Sequence, residues 1–223
     1  MRPLLETYLG SLPGTGRQET PRDYAVRIPS GRIRKEWRLG NNDKASVRLI
    51  VGGEYEYSQR TTLELKAIAK ILESRLREKL KEAEKGEGAP TVTVDLSKFP
   101  AARYMFRISF DVVPAKVDKL ITAVELEVRR MKVFGPTIDD LDRFINAEVD
   151  ATEVAIGQNE FWLYYLSRQY QDQEDLTDIV SYYQRLDKID REFMRQTANL
   201  YLGDENVVAL IWLPENTPLT PSK

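Results

Sequence analysis

The 223 residues include no histidine and no cysteine. Histidine is the usual general base near neutral pH and the commonest zinc ligand, and cysteine is the other soft ligand and the strongest thiol nucleophile. Their joint absence excludes the Ser-His-Asp triad, the Cys-His dyad, zinc fingers, disulfides and every histidine-bearing zinc-hydrolase motif. An excess of one charge is missing too. The 33 basic residues face 35 acidic ones, so neither nucleic-acid binding nor docking on an anionic membrane gains support. No apolar run approaches the ~20 residues of a transmembrane helix. Met1–Gly10 lacks the basic start and long apolar stretch of a secretory signal. A processed product would lack one as well, so the compartment stays open. Gly86-Glu-Gly88 is too short to cradle a phosphate and serves more simply as a helix stop.

What is present reads as a globular chain. Hydrophobic residues make up 42%, enough for a full core. Residues 3–9 form a short helix ended by Gly10. Pro13, Gly14, Gly16, Pro21 and Pro29 then mark Ser11–Gly31 as a linker. Ile33, Trp37 and Leu39 alternate with Arg32, Arg34, Glu36 and Arg38, which predicts a strand with one wet face. Val47, Leu49 and Val51 mark the next strand. Leu65, Ile68, Ala69, Leu72, Leu76 and Leu80 step by three and four, predicting a helix from about Gln59 to Lys85. Val92, Val94 and Leu96 suggest a strand. The cleanest alternation follows, with Tyr104, Phe106, Ile108, Phe110 and Val112 on one face. A helix starting at Pro114 stops at Gly135-Pro136, and Thr137 with Asp140 forms a capping box for the next. Helices at about 159–172, 176–184 and 188–202 come next. The apolar run Val207–Leu213 suits a strand buried on both faces. The order predicts an α+β fold, a mostly antiparallel sheet covered by helices.

Several strings in this order resemble the pitrilysin/insulysin-type zinc metallopeptidases, the inverzincins, in their bacterial multi-domain branch. They are Tyr8-Leu-Gly-Ser-Leu-Pro13, the strand around Ala45–Gly53, Arg75-Leu-Arg-Glu78, Phe99-Pro-Ala-Ala-Arg-Tyr104, Ile108-Ser-Phe110, Gly135-Pro-Thr137 and Asn159-Glu-Phe-Trp-Leu163. The resemblance implies a pitrilysin-type metallopeptidase-like domain over residues 32–223, with residues 1–31 as the tail of a preceding domain plus linker.

In that family the catalytic domain carries H-x-x-E-H and a downstream glutamate. The helix that would carry the motif matches Gln59–Leu76 and holds no histidine. Glu148 and Glu153 lie near the downstream glutamate and are read as helix-surface charges. The resemblance is therefore to the non-catalytic, C-terminal half. It implies no catalytic residue, no metal ligand and no cofactor in this chain, with zinc in a partner catalytic half. That partner is an earlier part of the same polypeptide or a separate subunit. Together the halves would enclose peptide substrates. The alternative is a stand-alone structural or interaction module built on the peptidase fold. The family's bacterial members suggest the periplasm or cell envelope for the parent protein.

The family's cross-cavity substrate contacts, R-x-x-x-G-G-T-Y, fall on Lys81 and Gly88. Lysine keeps the charge but loses the planar fork, and glycine loses the hydroxyl. A shifted placement uses Arg77. Lys81 and then Arg77 are the expected substrate-binding residues. Arg75, Arg77, Lys79, Lys81 and Lys85 are interleaved with glutamates and read as a solvated helix face. Phe161, Trp162, Tyr164, Tyr165 and Tyr170 are read as packing between helices, with a peptide-binding surface as the alternative.

Overall fold

A computed structural model describes residues 2–14, 16, 20–41, 43–83, 89–203 and 206–216, with only the backbone of 80–83. Five strands, β1 (Gly31–Arg38), β2 (Ala45–Glu54), β3 (Thr91–Ser97), β4 (Arg103–Val112) and β5 (Asn206–Leu213), form one sheet in the order β1-β5-β2-β4-β3. β1 runs parallel to β5, and the other three pairings are antiparallel. The described helices are α1 (Arg2–Tyr8), α2 (Gln59–Ala83), α3 (Val117–Phe134), α4 (Ile138–Ala155), α5 (Asn159–Asp172), α6 (Tyr182–Leu186) and α7 (Arg191–Tyr201). The predicted α+β fold is thus present, and the expected long helix is described as far as Ala83. Gly86 and Gly88, its expected stop, lie outside the described residues.

Register explains why one sheet face is apolar. Val47 sits opposite both Phe110 and Ile211, and Leu49 opposite both Ile108 and Ala209. Directly opposed residues share a face, so period-2 alternation in β2 and β4 stacks their apolar sets. Over that face lies α2, whose Leu65, Ile68, Leu72 and Leu76 are buried in the same core as Phe106 and Ile211. Each such side chain contributes roughly 1.5–3 kcal/mol on burial. α2 also packs against α3, α4 and α7. The Thr137–Asp140 capping box forms as expected, with Thr137 Oγ1 accepting from the Asp140 amide at 3.1 Å. Gly135 caps α3 with φ 68°.

Two strands differ from expectation. β1 turns its charged residues toward the helices, where Arg34 Nη1 meets Asp118 Oδ1 at 2.7 Å and Arg32 meets Glu125. Its apolar residues take the opposite face, and Trp37 stacks on Trp212 with centroids 5.5 Å apart. β1 is an edge strand beyond the reach of the core, so ion pairs with α3 decide its facing. In β5 only Val208 and Ile211 are buried, one on each face. The rest are half-buried; Leu210 and Trp212 share the face of Val208, which among the described residues no helix covers. That face instead receives Ile28 of the N-terminal connector. A Cβ on Gly52 would come within 2.4 Å of Ile28 Cδ1, so the missing side chain makes the room. Arg103 Nη1 holds the connector by donating to the Val26 carbonyl at 2.7 Å.

Candidate functional site

The N-terminal half of α2 presents Gln59, Thr62 and Lys66 along one side, at the spacing that puts residues on a common helix face. Across from them α4 brings Glu148 and Thr152, α5 brings Phe161, Tyr164, Tyr165 and Arg168, and α6 brings Tyr182 and Arg185. Tyr55, Tyr57 and Lys98 close the side nearest the sheet. Together they line a cleft of about 590 Å3. Aromatic rings form much of the wall. Phe161 lies nearly parallel to Tyr165, 5.8 Å between centroids, and Lys98 Nζ sits 4.7 Å over the Tyr57 ring.

Three of the four cations in the lining are held by carboxylates. Arg168 Nε meets Asp172 Oδ2 at 2.7 Å, Arg185 Nη1 lies 3.7 Å from Asp178 Oδ1, and Lys98 pairs with Glu174. The Lys98 contact holds the Glu174 carboxyl below its ordinary pKa. Lys66 is the fourth. Among the described residues it makes no hydrogen bond or close ion pair; Glu148 supports its charge electrostatically. Burial pushes the Lys66 pKa down, the Glu148 charge opposes this, and Arg168 adds to the depression. The side chain is nevertheless open to water. Both facts describe a group walled by protein in an open cleft, not one sealed in a core. Glu148 itself accepts from the Tyr182 hydroxyl at 2.6 Å. Burial, then that carboxylate, raises the Tyr182 pKa.

Some expectations are corrected here. Glu148 is half-buried and lines the cleft, because α5 and α6 fold back beside α4; Glu153 is exposed as expected. Of the α5 aromatics only Phe161 and Tyr165 are half-buried as interhelical packing would have them. Tyr164 and Tyr170 are 73% and 83% exposed, and among the described residues α5 buries only Gln169 and Asp172. Among the described residues no further layer covers this helix, so Trp162, Tyr164 and Tyr170 stand on the surface and Phe161 and Tyr165 along the cleft. Arg75 is not on a solvated face, for it points inward to Asp140. Arg77 does lie on one, pairing with Glu73 at 2.7 Å. It is about 16 Å along the helix axis from Lys66, at 1.5 Å per residue, and lines a separate groove between α2 and α4. Lys81 sits in the last turn of α2, but its side chain lies outside the described residues. The structure therefore does not bring Arg77 to the cleft. Lys66 gave no sequence signal of its own, since its setting depends on α5 and α6, remote in sequence.

A zinc ion does not fit the residues present. α2 offers no histidine or cysteine, Glu148 is engaged by Tyr182 and faces an ammonium, and among the described residues no three metal-ligating side chains cluster. No described helix is long and apolar enough to cross a membrane.

Solved structures share the fold. The ferredoxin protease FusC in complex with Arabidopsis ferredoxin aligns over 96% of this chain and 23% of its own, with 19% identity and a TM-score of 0.75. The periplasmic protease PqqL from Escherichia coli aligns over 83% of this chain and 21% of its own, at 17% identity and a TM-score of 0.70. A protease from Helicobacter pylori gives 14% identity and a TM-score of 0.78 over 96% of this chain and 52% of its own. The chain thus spans between a fifth and about half the length of these proteins. No curated protein sequence matches it. Residues 1–148 match the peptidase M16 inactive domain, and with α2 carrying no zinc ligand the chain belongs to that family.

Proposed function

We propose that this chain is the non-catalytic half of a zinc metallopeptidase, enclosing peptide substrates opposite a zinc-bearing half. That half is an earlier part of the same polypeptide or a separate subunit. The observation that carries this is a match to the inactive domain of a peptidase family in a chain with no histidine. Leu163, Tyr164 and Tyr170 of α5, with Val154 of α4, add exposed apolar surface of the kind that marks interaction sites. All metal and proton chemistry resides in the partner. This half supplies walls, confinement and aligning contacts, with Lys81 and Arg77 as the substrate contacts on α2. The periplasm suits such a protein, as it does PqqL.

The test is reconstitution with the H-x-x-E-H segment encoded upstream or beside this chain. Peptide turnover by that segment is expected to rise at least tenfold, or about 1.4 kcal/mol of transition-state stabilisation, when this chain is added. Unchanged turnover together with no complex between the two would overturn the proposal in favour of a stand-alone module.

A further inference from the structure

We infer that the cleft between α2, α4, α5 and α6 binds a peptide carboxylate, with the Lys66 ammonium as its anchor. The choice of a peptide rests on the chamber role proposed above; the choice of a carboxylate rests on the cleft itself.

Arg168, Arg185 and Lys98 are each held by a carboxylate of this chain, whereas among the described residues Lys66 has none in contact. Glu148, whose charge it feels, already accepts a 2.6 Å bond from Tyr182. An ammonium that lines an open cleft with no hydrogen-bonded carboxylate is available to an incoming anion, which it meets through a charge-assisted bond. The lining's four cations are balanced by four carboxylates. Near-neutral walls suit a single negative charge better than a phosphate dianion. The volume of about 590 Å3 lies within the range of small-ligand sites, enough for a short stretch of peptide. Exposed Tyr164 and the Phe161–Tyr165 stack offer flat apolar surface to the side chains beside the bound carboxylate.

The experiment uses the purified 223-residue chain alone, so its outcome is independent of any catalytic partner. Dansyl-labelled Gly-Gly-Phe-Phe, whose label carries no carboxylate, is titrated as the free acid, as the C-terminal amide, and as an amide with aspartate replacing the second glycine. The free acid or the aspartate peptide is expected to bind about tenfold tighter than the plain amide, as one charge-assisted hydrogen bond provides. Whichever binds tighter tells a chain terminus from an acidic side chain. Lys66→Met should abolish that preference and Lys66→Arg should keep most of it. Glu148→Gln, which removes the competing carboxylate, should tighten binding, a gain that misfolding does not produce. Equal binding of all three peptides, no binding of any probe, or an unchanged preference in Lys66→Met would each overturn the inference.

Discussion

Arg75 of α2 lays its guanidinium against Asp140, the third residue of α4, with Nε and Nη2 at 3.1 and 2.5 Å from Oδ2. The same Nη2 donates to the Gly135 carbonyl at 3.1 Å, at the end of α3. One side chain thus ties the central helix to the turn where α3 stops and α4 begins. Asp140 also accepts from the Thr137 amide and hydroxyl, at 2.9 and 2.7 Å. The pair is nearly out of water, with side-chain exposures of 14% and 5%.

Removing one partner of such a pair leaves the other charge uncompensated. Arg75→Ala is therefore expected to cost about 3–5 kcal/mol in urea denaturation. Arg77→Ala, two positions on, loses only an exposed pair with Glu73, worth about 0.3–0.5 kcal/mol. Equal costs for the two substitutions would refute the distinction between an interior and a solvated arginine on this helix.

The same site sets a pH dependence. Burial alone would raise the Asp140 pKa, but the bonds from Arg75 and Thr137 outweigh it and hold the carboxyl below its ordinary value. A depressed folded-state pKa means stability that is fully present above the unfolded value, ~3.9 for aspartate. It is lost as pH falls through the folded value. Glu174, lowered by Lys98, acts in the same direction. The urea midpoint should accordingly decline with acidity below about pH 4, and Asp140→Asn should start lower and decline less steeply. An identical slope in the variant would show that Asp140 titrates alike in both states.

Gly52 stands where the connector, β2 and β4 converge. A Cβ there meets Ile28 Cδ1 at 2.4 Å, the Tyr104 carbonyl at 2.6 Å and Met105 Cα at 3.2 Å. The isoleucine tip can swing away; the paired backbone of β4 cannot. Gly52→Ala should cost about 1–3 kcal/mol in urea denaturation. In an Ile28→Ala background the penalty should shrink but persist. A penalty that vanished there would mean that only the connector resists.

These sites divide by how local their causes are. β4, α2 and the Thr137–Asp140 box were legible because period-2 alternation, three-four spacing and a capping pair act within a few residues. The facing of β1 was not, for Asp118 and Glu125 of α3, far along the chain, decide it. Arg75 looked like any helix arginine until α4 packed beside it. Lys66 and Glu148 lie 82 positions apart and acquire their setting only when Tyr182 and Arg168 arrive on later helices. Family resemblance carried the peptidase reading, but it directed attention to Arg77 and Lys81, farther along α2 than the residues of its N-terminal half that line the cleft.

That separation allows the two sets of contacts to be tested apart in the reconstituted enzyme. Lys81 and Arg77, proposed as contacts made equally in the ground and transition states, should raise KM when replaced by alanine and leave kcat nearly unchanged, since uniform binding affects only the former. Loss of one charge-assisted contact corresponds to about three- to tenfold in KM. Lys66→Met should act through a different substrate property, raising KM for acidic peptides while sparing their neutral counterparts. If Lys81→Ala and Arg77→Ala both leave KM and kcat unchanged, neither side chain touches substrate, and the aligning contacts of this half must come from the cleft around Lys66.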